Sequence, residues 1–279
     1  MRTADGGKSF TALPTPWSPT AAGPAVGELL FANAHDGYAF GPDIWSTHNG
    51  GRSWRELRIG DSADIATAGG YFYALVSNNG SSALLRSPVG HDAWRVLHTP
   101  VVPLLLSGLG ARGRTVLVQG RGRVMVSRDR GAHFRLGGRL PAGAFCDFDQ
   151  TPVGSVMWAY CNRAVAGGEG PVIRSSNSGA SWTRLVESGT INGPPQAFAA
   201  ASASVAVLAG YQSVYRTVDG GAAWSPVAGL PVGFSTFDLA FTDATHGVAI
   251  GGVGSGRRLR LVLYATDDTG ASYRRVRIG

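Results

Sequence analysis

Short apolar runs alternate along the chain with clusters of turn-forming residues. Residues 29–41 predict two short strands around a turn, and 236–251 repeat that pattern, with Thr245–Gly251 matching the earlier turn and the strand after it. Further hairpins are predicted at 64–76, 105–120, 144–161 and 197–210. No stretch of about eleven residues or more follows the 3.6-residue period of an amphipathic helix. The pattern therefore predicts an all-β protein.

An eight-residue phrase recurs between these hairpins. A Ser or Thr is followed two positions on by Asp or Asn, two further by Gly, and three further by an aromatic residue. Good copies begin at Thr3, Thr47, Ser127, Ser175, Thr217 and Thr266. A worn copy, Ser87–Trp94, keeps the hydroxyl and the aromatic but has lost the acid and the glycine from their positions. The spacing of about 40 to 49 residues is that of one four-stranded blade.

Each phrase has the chemistry of a tight hairpin corner. The short acid or amide accepts backbone hydrogen bonds, the glycine takes positive φ, and the hydroxyl adds a second local bond. The aromatic ring can then be buried against a neighbouring blade. We interpret the third positions as structural residues rather than ligand or metal sites. They are Asp5, Asn49, Asp129, Asn177, Asp219 and Asp268.

The phrase resembles the Asp-box, or BNR, repeat S/T-x-D-x-G-x-x-W/F over nearly the whole chain. That repeat occurs in sialidases, sortilin-type receptors, some glycoside hydrolases and a photosystem II assembly-factor family. The resemblance implies a β-propeller of four-stranded antiparallel blades and leaves function open.

The number of phrases exceeds the number of inner hairpins. Seven phrases accompany only six inner hairpins, because the chain starts within the first phrase. We favour a single domain over 1–279 with seven blades, the first incomplete and finished by an upstream segment that could also carry an export signal. The alternative is six blades plus an extra N-terminal hairpin. The predicted segments are a remnant at 1–13 and blades at about 27–57, 63–97, 104–137, 143–185, 196–227 and 235–277.

Composition adds a basic charge without naming a partner. The net charge is +7, and 24 of the 25 Lys and Arg residues are Arg. A basic balance fits an acidic partner, but an arginine-rich codon bias accounts for it equally, so we expect no specific nucleic acid. Apolar runs are too short to span a bilayer.

Two cysteines lie on the strands of one predicted hairpin. A turn near residues 152–154 places Cys146 and Cys161 opposite or nearly opposite each other. We expect a disulfide, with two buried thiols as the alternative. Disulfides persist in oxidising compartments, so we expect an envelope or extracellular location.

Catalytic and metal sites find little support in the sequence. Sialidases carry a Phe/Tyr-Arg-Ile-Pro motif, which is missing here, and the chain has four Glu for the carboxylate pair of a glycosidase. The six His show no metal-ligand spacing. We expect no catalytic residue, no metal and no cofactor, and keep a sialidase-like glycoside hydrolase as the alternative.

A binding face has more support. Basic residues occupy three connections between the second and third strands of blades, the longest being a glycine-flanked insertion at 254–260, and loops of this kind carry binding sites. These candidates are Arg121, Arg123, Arg163, Arg257, Arg258 and Arg260. We therefore predict a monomeric, non-catalytic scaffold for an unknown protein or glycan, acidic in character.

Overall fold

The computed structural model is all-β in the residues that it describes. These are residues 2, 11–15, 27–41, 43–78, 80–100, 106–120, 122–140, 144–149, 155–163, 171–186, 196–210, 213–231, 233–254 and 258–276. They form 24 strands in six antiparallel four-stranded sheets, and two compact units contain three sheets each.

The first unit holds blades one to three. Each of these sheets is an up-and-down meander in which chain neighbours pair. Blade one comprises β1 (Glu28–Phe31), β2 (Gly37–Phe40), β3 (Ile44–Thr47) and β4 (Arg55–Leu57). Blade two comprises β5 (Asp61–Ala68), β6 (Tyr71–Asn78), β7 (Ser81–Pro88) and β8 (Arg95–Val96). Blade three comprises β9 (Leu106–Arg112), β10 (Thr115–Gly120), β11 (Arg123–Ser127) and β12 (Arg135–Arg139).

The second unit holds blades four to six with the same meander. Blade four comprises β13 (Ala144–Asp149), β14 (Met157–Arg163), β15 (Val172–Ser175) and β16 (Thr183–Val186). Blade five comprises β17 (Ala197–Ala200), β18 (Ala206–Gly210), β19 (Ser213–Thr217) and β20 (Ser225–Pro226). Blade six comprises β21 (Phe234–Phe241), β22 (Gly247–Val253), β23 (Arg260–Thr266) and β24 (Arg274–Val276).

The fold is a β-propeller with six blades, so the favoured count of seven is wrong and the six-blade alternative is the one observed. The phrase count overestimates the blades because a phrase marks one hairpin, which needs two strands rather than four. Near the first phrase, Arg2 and Thr11 form an antiparallel bridge with two backbone hydrogen bonds of 2.8 Å. The phrase itself, with Asp5, lies outside the described residues.

The second strands of blades two and five form the cores because both of their faces are buried. In β6, Phe72, Ala74 and Val76 pack toward blade one, while Tyr73 and Leu75 pack toward blade three. Side chains alternate across a strand, so a strand between two blades must be apolar at every position. This explains the continuous apolar run at 71–76.

Blade five repeats this arrangement with smaller residues. In β18, Ala206 and Leu208 join the core with blade four, and Val207 and Ala209 join the core with blade six.

The predicted disulfide is confirmed. Cys146 and Cys161 are paired residues of β13 and β14, with Cα atoms 3.9 Å apart, and the bond joins adjacent strands of blade four.

Candidate binding surface

The five described good copies of the phrase form the same hydrogen-bonded turn. In blade five, the Thr217 hydroxyl donates to Asp219 Oδ1 at 2.8 Å and accepts the Gly221 N–H at 2.9 Å, while Asp219 Oδ1 also accepts the Ala223 N–H at 3.0 Å. The same three bonds, at 2.7 to 3.1 Å, occur around the other third-position residues. These are Asn49, Asp129, Asn177 and Asp268.

Turn geometry lowers the pKa of the acidic members. For Asp129 and Asp219 the main cause is an accepted backbone N–H, from His133 and Ala223 respectively. For Asp268 it is the Ser272 hydroxyl, which brings the pKa to about 2. Donors aimed at a carboxylate favour its ionised form. These carboxylates are occupied by their own backbone rather than presented to a ligand.

Arginines that directly precede the phrase hydroxyl fasten consecutive blades. Arg216 Nε donates to the Thr269 carbonyl of blade six at 2.8 Å, and its Nη2 reaches the Thr269 hydroxyl at 3.2 Å. Arg86 reaches the Arg130 carbonyl of blade three, and Arg174 reaches the Ala203 carbonyl of blade five. Their charge therefore serves blade packing.

The worn phrase, Ser87–Trp94, still forms a hydrogen-bonded turn, although with different partners. Its Ser87 hydroxyl donates to the His91 carbonyl at 2.7 Å and accepts the Ala93 N–H at 2.9 Å, so backbone groups replace the missing carboxylate. An acid stands three positions later instead, at Asp92. Trp94 packs with the core between blades one and two.

Asp92 connects blade two to blade one. Its Oδ1 accepts the Tyr38 hydroxyl at 2.8 Å, while its Oδ2 accepts the Ser46 hydroxyl at 2.9 Å and Arg55 Nη2 at 2.8 Å. His48 Nε2 lies 3.4 Å from the same Oδ2. The sequence analysis did not identify Asp92. The signal for it was that the worn phrase lacks an acid at its third position but has one three residues later.

Few of the predicted basic residues can be placed on a free surface. Arg123 is half-buried and contacts its own blade, since its Nη2 donates to the Gly137 carbonyl at 3.2 Å. Arg121 and Arg257 lie outside the described residues, as does the side chain of Arg163. Arg258 and Arg260 are exposed, and no ion pair of either with another described residue is found.

These two arginines alternate along the chain with exposed apolar residues of the same blade. Leu261, Phe237, Leu259 and Ile250 are 68, 49, 42 and 42% exposed. We define the blade-six surface as Phe237, Ile250 and 258–261.

Gly252 lies beneath this surface and brings its parts together. It pairs with Leu261, and a Cβ added to Gly252 would lie 2.5 Å from Leu259 Cδ1 and 3.2 Å from Phe237 Cζ. Gly254 then turns the chain with φ +97°, where a Cβ would lie 2.7 Å from the Arg258 carbonyl oxygen. The absence of side chains at Gly252 and Gly254 thus leaves room for Leu259 to lie close to the Phe237 ring. The result is an exposed apolar surface on one face of blade six, and Arg260, which pairs with Val253, projects from the opposite face of β23 to Leu261.

Two aspartates occupy matching positions after a β-bulge in the first strand of their blades. Asp64 follows the bulge in β5 and accepts the Leu109 N–H of blade three at 2.8 Å. Asp238 follows the bulge in β21, where burial raises its pKa although the Leu239 N–H acts in the opposite direction. Asp64 is structural, whereas Asp238 borders the blade-six surface through its paired residue Ile250.

No cluster of three or more His, Cys, Asp or Glu suited to a metal occurs among the described residues. Within the same part of the chain, no helix is long and apolar enough to cross a membrane.

Comparison with known proteins gives the fold and no family. No protein-family model matches the chain, and no curated protein is significantly similar. The structure "YCF48 bound to D1 peptide" has a TM-score of 0.66 at 14% identity, over 94% of this chain and 84% of that one. The structure of YCF48 from Cyanidioschyzon merolae has a TM-score of 0.63 at 16% identity, over 96% of this chain and 89% of that one.

Glycoside hydrolases are among the other similar structures. A GH74 xyloglucanase from Xanthomonas campestris has a TM-score of 0.65 at 18% identity, over 94% of this chain and 47% of its own. The chain thus spans about half the length of that enzyme. At these identities the shared property is the fold, and this chain has the fold of a β-propeller.

Proposed function

We propose that this chain is a non-catalytic binding scaffold whose blade-six surface holds an acidic, partly apolar segment of a protein partner. The observation that carries the proposal is the exposed apolar patch, with the exposed Arg258 and Arg260 on the same segment of the chain as Leu259 and Leu261. Exposed apolar patches rimmed by polar residues mark interaction sites. Arginine gives directional hydrogen bonds to carboxylates as well as charge.

Four other arginines contact neighbouring blades instead. Arg86, Arg174 and Arg216 end on carbonyl groups of the next blade, and Arg55 pairs with Asp92. Further exposed arginines, such as Arg135, Arg184 and Arg274, lie on the outer strands of their blades. Arg258 and Arg260 are the described members of the predicted set that stay exposed.

The structural neighbours give independent support for a peptide ligand. A propeller of similar fold is described as bound to the D1 peptide. We infer that the repeated phrases are Asp-box repeats and that both units belong to one monomeric domain. The disulfide in blade four supports an oxidising compartment, and within that class we propose the cell envelope or exterior.

A peptide selection tests the proposal. A random twelve-residue display library is selected on the immobilised chain, with prior removal of peptides that bind the variant R258E/R260E. Enriched peptides should combine Asp or Glu with Leu, Phe or Ile. Arrays of anionic and neutral glycans form the second arm. Failure to enrich acidic peptides, or selective binding of a glycan, would contradict a protein partner.

The glycoside hydrolase alternative rests on the GH74 similarity and on Asp238. A raised pKa suits a carboxyl group that acts as a general acid, but hydrolysis also needs a second carboxyl. Incubation with xyloglucan and sialylated glycans decides between the two functions. Turnover that is lost in D238N would establish the enzyme and overturn the scaffold.

A further inference from the structure

The corner where blade two meets blade one differs from the other described phrase corners because it contains a histidine between two carboxylates. His48 Nδ1 lies 2.8 Å from Asp36 Oδ1, and its Nε2 lies 3.4 Å from Asp92 Oδ2. Asp36 belongs to the β1–β2 turn of blade one, whereas Asp92 belongs to blade two. His48 therefore links two acids that lie on different blades.

We propose that this corner is a proton-operated clasp, in which protonated His48 joins the turn at 32–36 to Asp92 of blade two and loss of the proton loosens the junction between the two blades. A neutral imidazole has one N–H and can donate to only one of the two carboxylates. An imidazolium has two N–H groups and donates to both.

The carboxylates are held in place to receive these bonds. Asn33 Nδ2 donates to Asp36 Oδ2 at 2.8 Å, and Asn33 Oδ1 accepts the backbone N–H groups of His35 and Asp36. Asp92 is fixed by Tyr38, Ser46 and Arg55, and its side chain is only 8% exposed. Neither acid must reorient when His48 gains its second proton.

The charges around His48 favour its protonated form. Two carboxylates flank His48, with the guanidinium of Arg55 on Asp92 as the opposing cation and the imidazole of His35 as a further neighbour of Asp36. Burial alone would lower the pKa of His48, but its hydrogen bonds to Asp36 and Asp92 outweigh burial and raise it. For Asp36, burial raises the pKa while the bonds from Asn33 and His48 lower it overall.

These directions give the pH window of the clasp. A raised histidine pKa contributes stability that is complete below the unfolded value of about 6.5 and is lost as pH rises through the folded value. The lowered pKa of Asp36 contributes stability above about 3.9, which is lost as pH falls through the folded value. The clasp is therefore strongest in mildly acidic solution. Raising the pH should open it.

Hydrogen exchange measured by mass spectrometry tests the clasp. Exchange is followed from pH 5.5 to 8.5, with correction for the intrinsic rate, in peptides covering 32–50 and 87–96. Protection there should fall as pH rises through the folded pKa of His48, since the bond that its proton adds is then lost. The variant H48Q cannot gain a proton and should remove the pH dependence. NMR titration of the wild-type imidazoles should place the pKa of His48 above 6.5, and D92N should lower it.

His133 provides the matched control. It pairs with Asp129 at 2.7 Å within one phrase and is 86% exposed, so it joins no two blades. H133Q should leave the pH dependence at the corner unchanged. Protection that is independent of pH in the wild-type chain, or a dependence that survives in H48Q, would overturn the clasp. The wild-type exchange and titration decide the matter even if H48Q fails to fold.

Discussion

Replacing Thr217 with valine tests whether the phrase hydroxyl holds its hairpin together. Thr217 is 1% exposed, and valine preserves its β-branched shape while removing the oxygen. The buried Gly221 N–H then loses its 2.9 Å acceptor, and Asp219 Oδ1 keeps only the Ala223 N–H of its two bonds in this turn. The substitution therefore isolates hydrogen bonding from packing.

The expected cost follows from the orphaned donor. A buried N–H without a partner costs about 1–3 kcal/mol, and Asp219 is exposed enough for water to replace its lost donor. We expect T217V to lower the free energy of unfolding by about 1–3 kcal/mol. T217S keeps the hydroxyl and loses one methyl group, at a cost of about 1 kcal/mol or less.

Urea unfolding followed by tryptophan fluorescence measures both variants. A lower midpoint with an unchanged slope indicates a change in stability. Exchange protection of 213–224 should fall more in T217V than in T217S. A valine variant as stable as the wild type, or more stable than the serine variant, would refute the structural role that we assign to the phrase.

Two further predictions concern covalent and backbone constraints. The double variant C146A/C161A should lose about 3 kcal/mol, because the bridge closes a loop with a sequence separation of 15, and the urea midpoint of oxidised and reduced protein checks it. G70A should cost about 1–2 kcal/mol for positive φ alone, since its Cβ meets open space. G69A should cost at least about 1 kcal/mol more, because its Cβ would collide with the backbone carbonyl oxygen of Gly113. Equal melting temperatures for the two glycine variants would contradict this.

Much of the architecture could be predicted because the repeat is local. Residues such as Thr217, Asp219 and Gly221 specify their turn within five positions, so the same bonds form in every described good copy. The continuous apolar run of β6 likewise indicates burial on both faces. The blade count failed because a phrase reports a hairpin and carries no information on the two inner strands.

The candidate sites were less predictable because they depend on contacts between distant residues. Asp92 lies 54 positions from Tyr38 and 44 from His48, and only the docking of blade two on blade one brings them together. Arg123 resembled Arg258 in the sequence, yet it folds back onto Gly137. Charge alone could not distinguish an arginine that fastens a blade from one that faces solvent.

Affinity for an acidic peptide at the blade-six surface is the central claim, and one comparison tests it most directly. The dissociation constant of a selected peptide is measured by fluorescence anisotropy for the wild type, R258E/R260E and R274E/R275E. The last pair is a matched control, since both arginines are exposed on β24 of the same blade. The account predicts about tenfold weaker binding for R258E/R260E and little change for the control. Equal weakening in both variants would show that only net charge matters and would contradict the assigned surface.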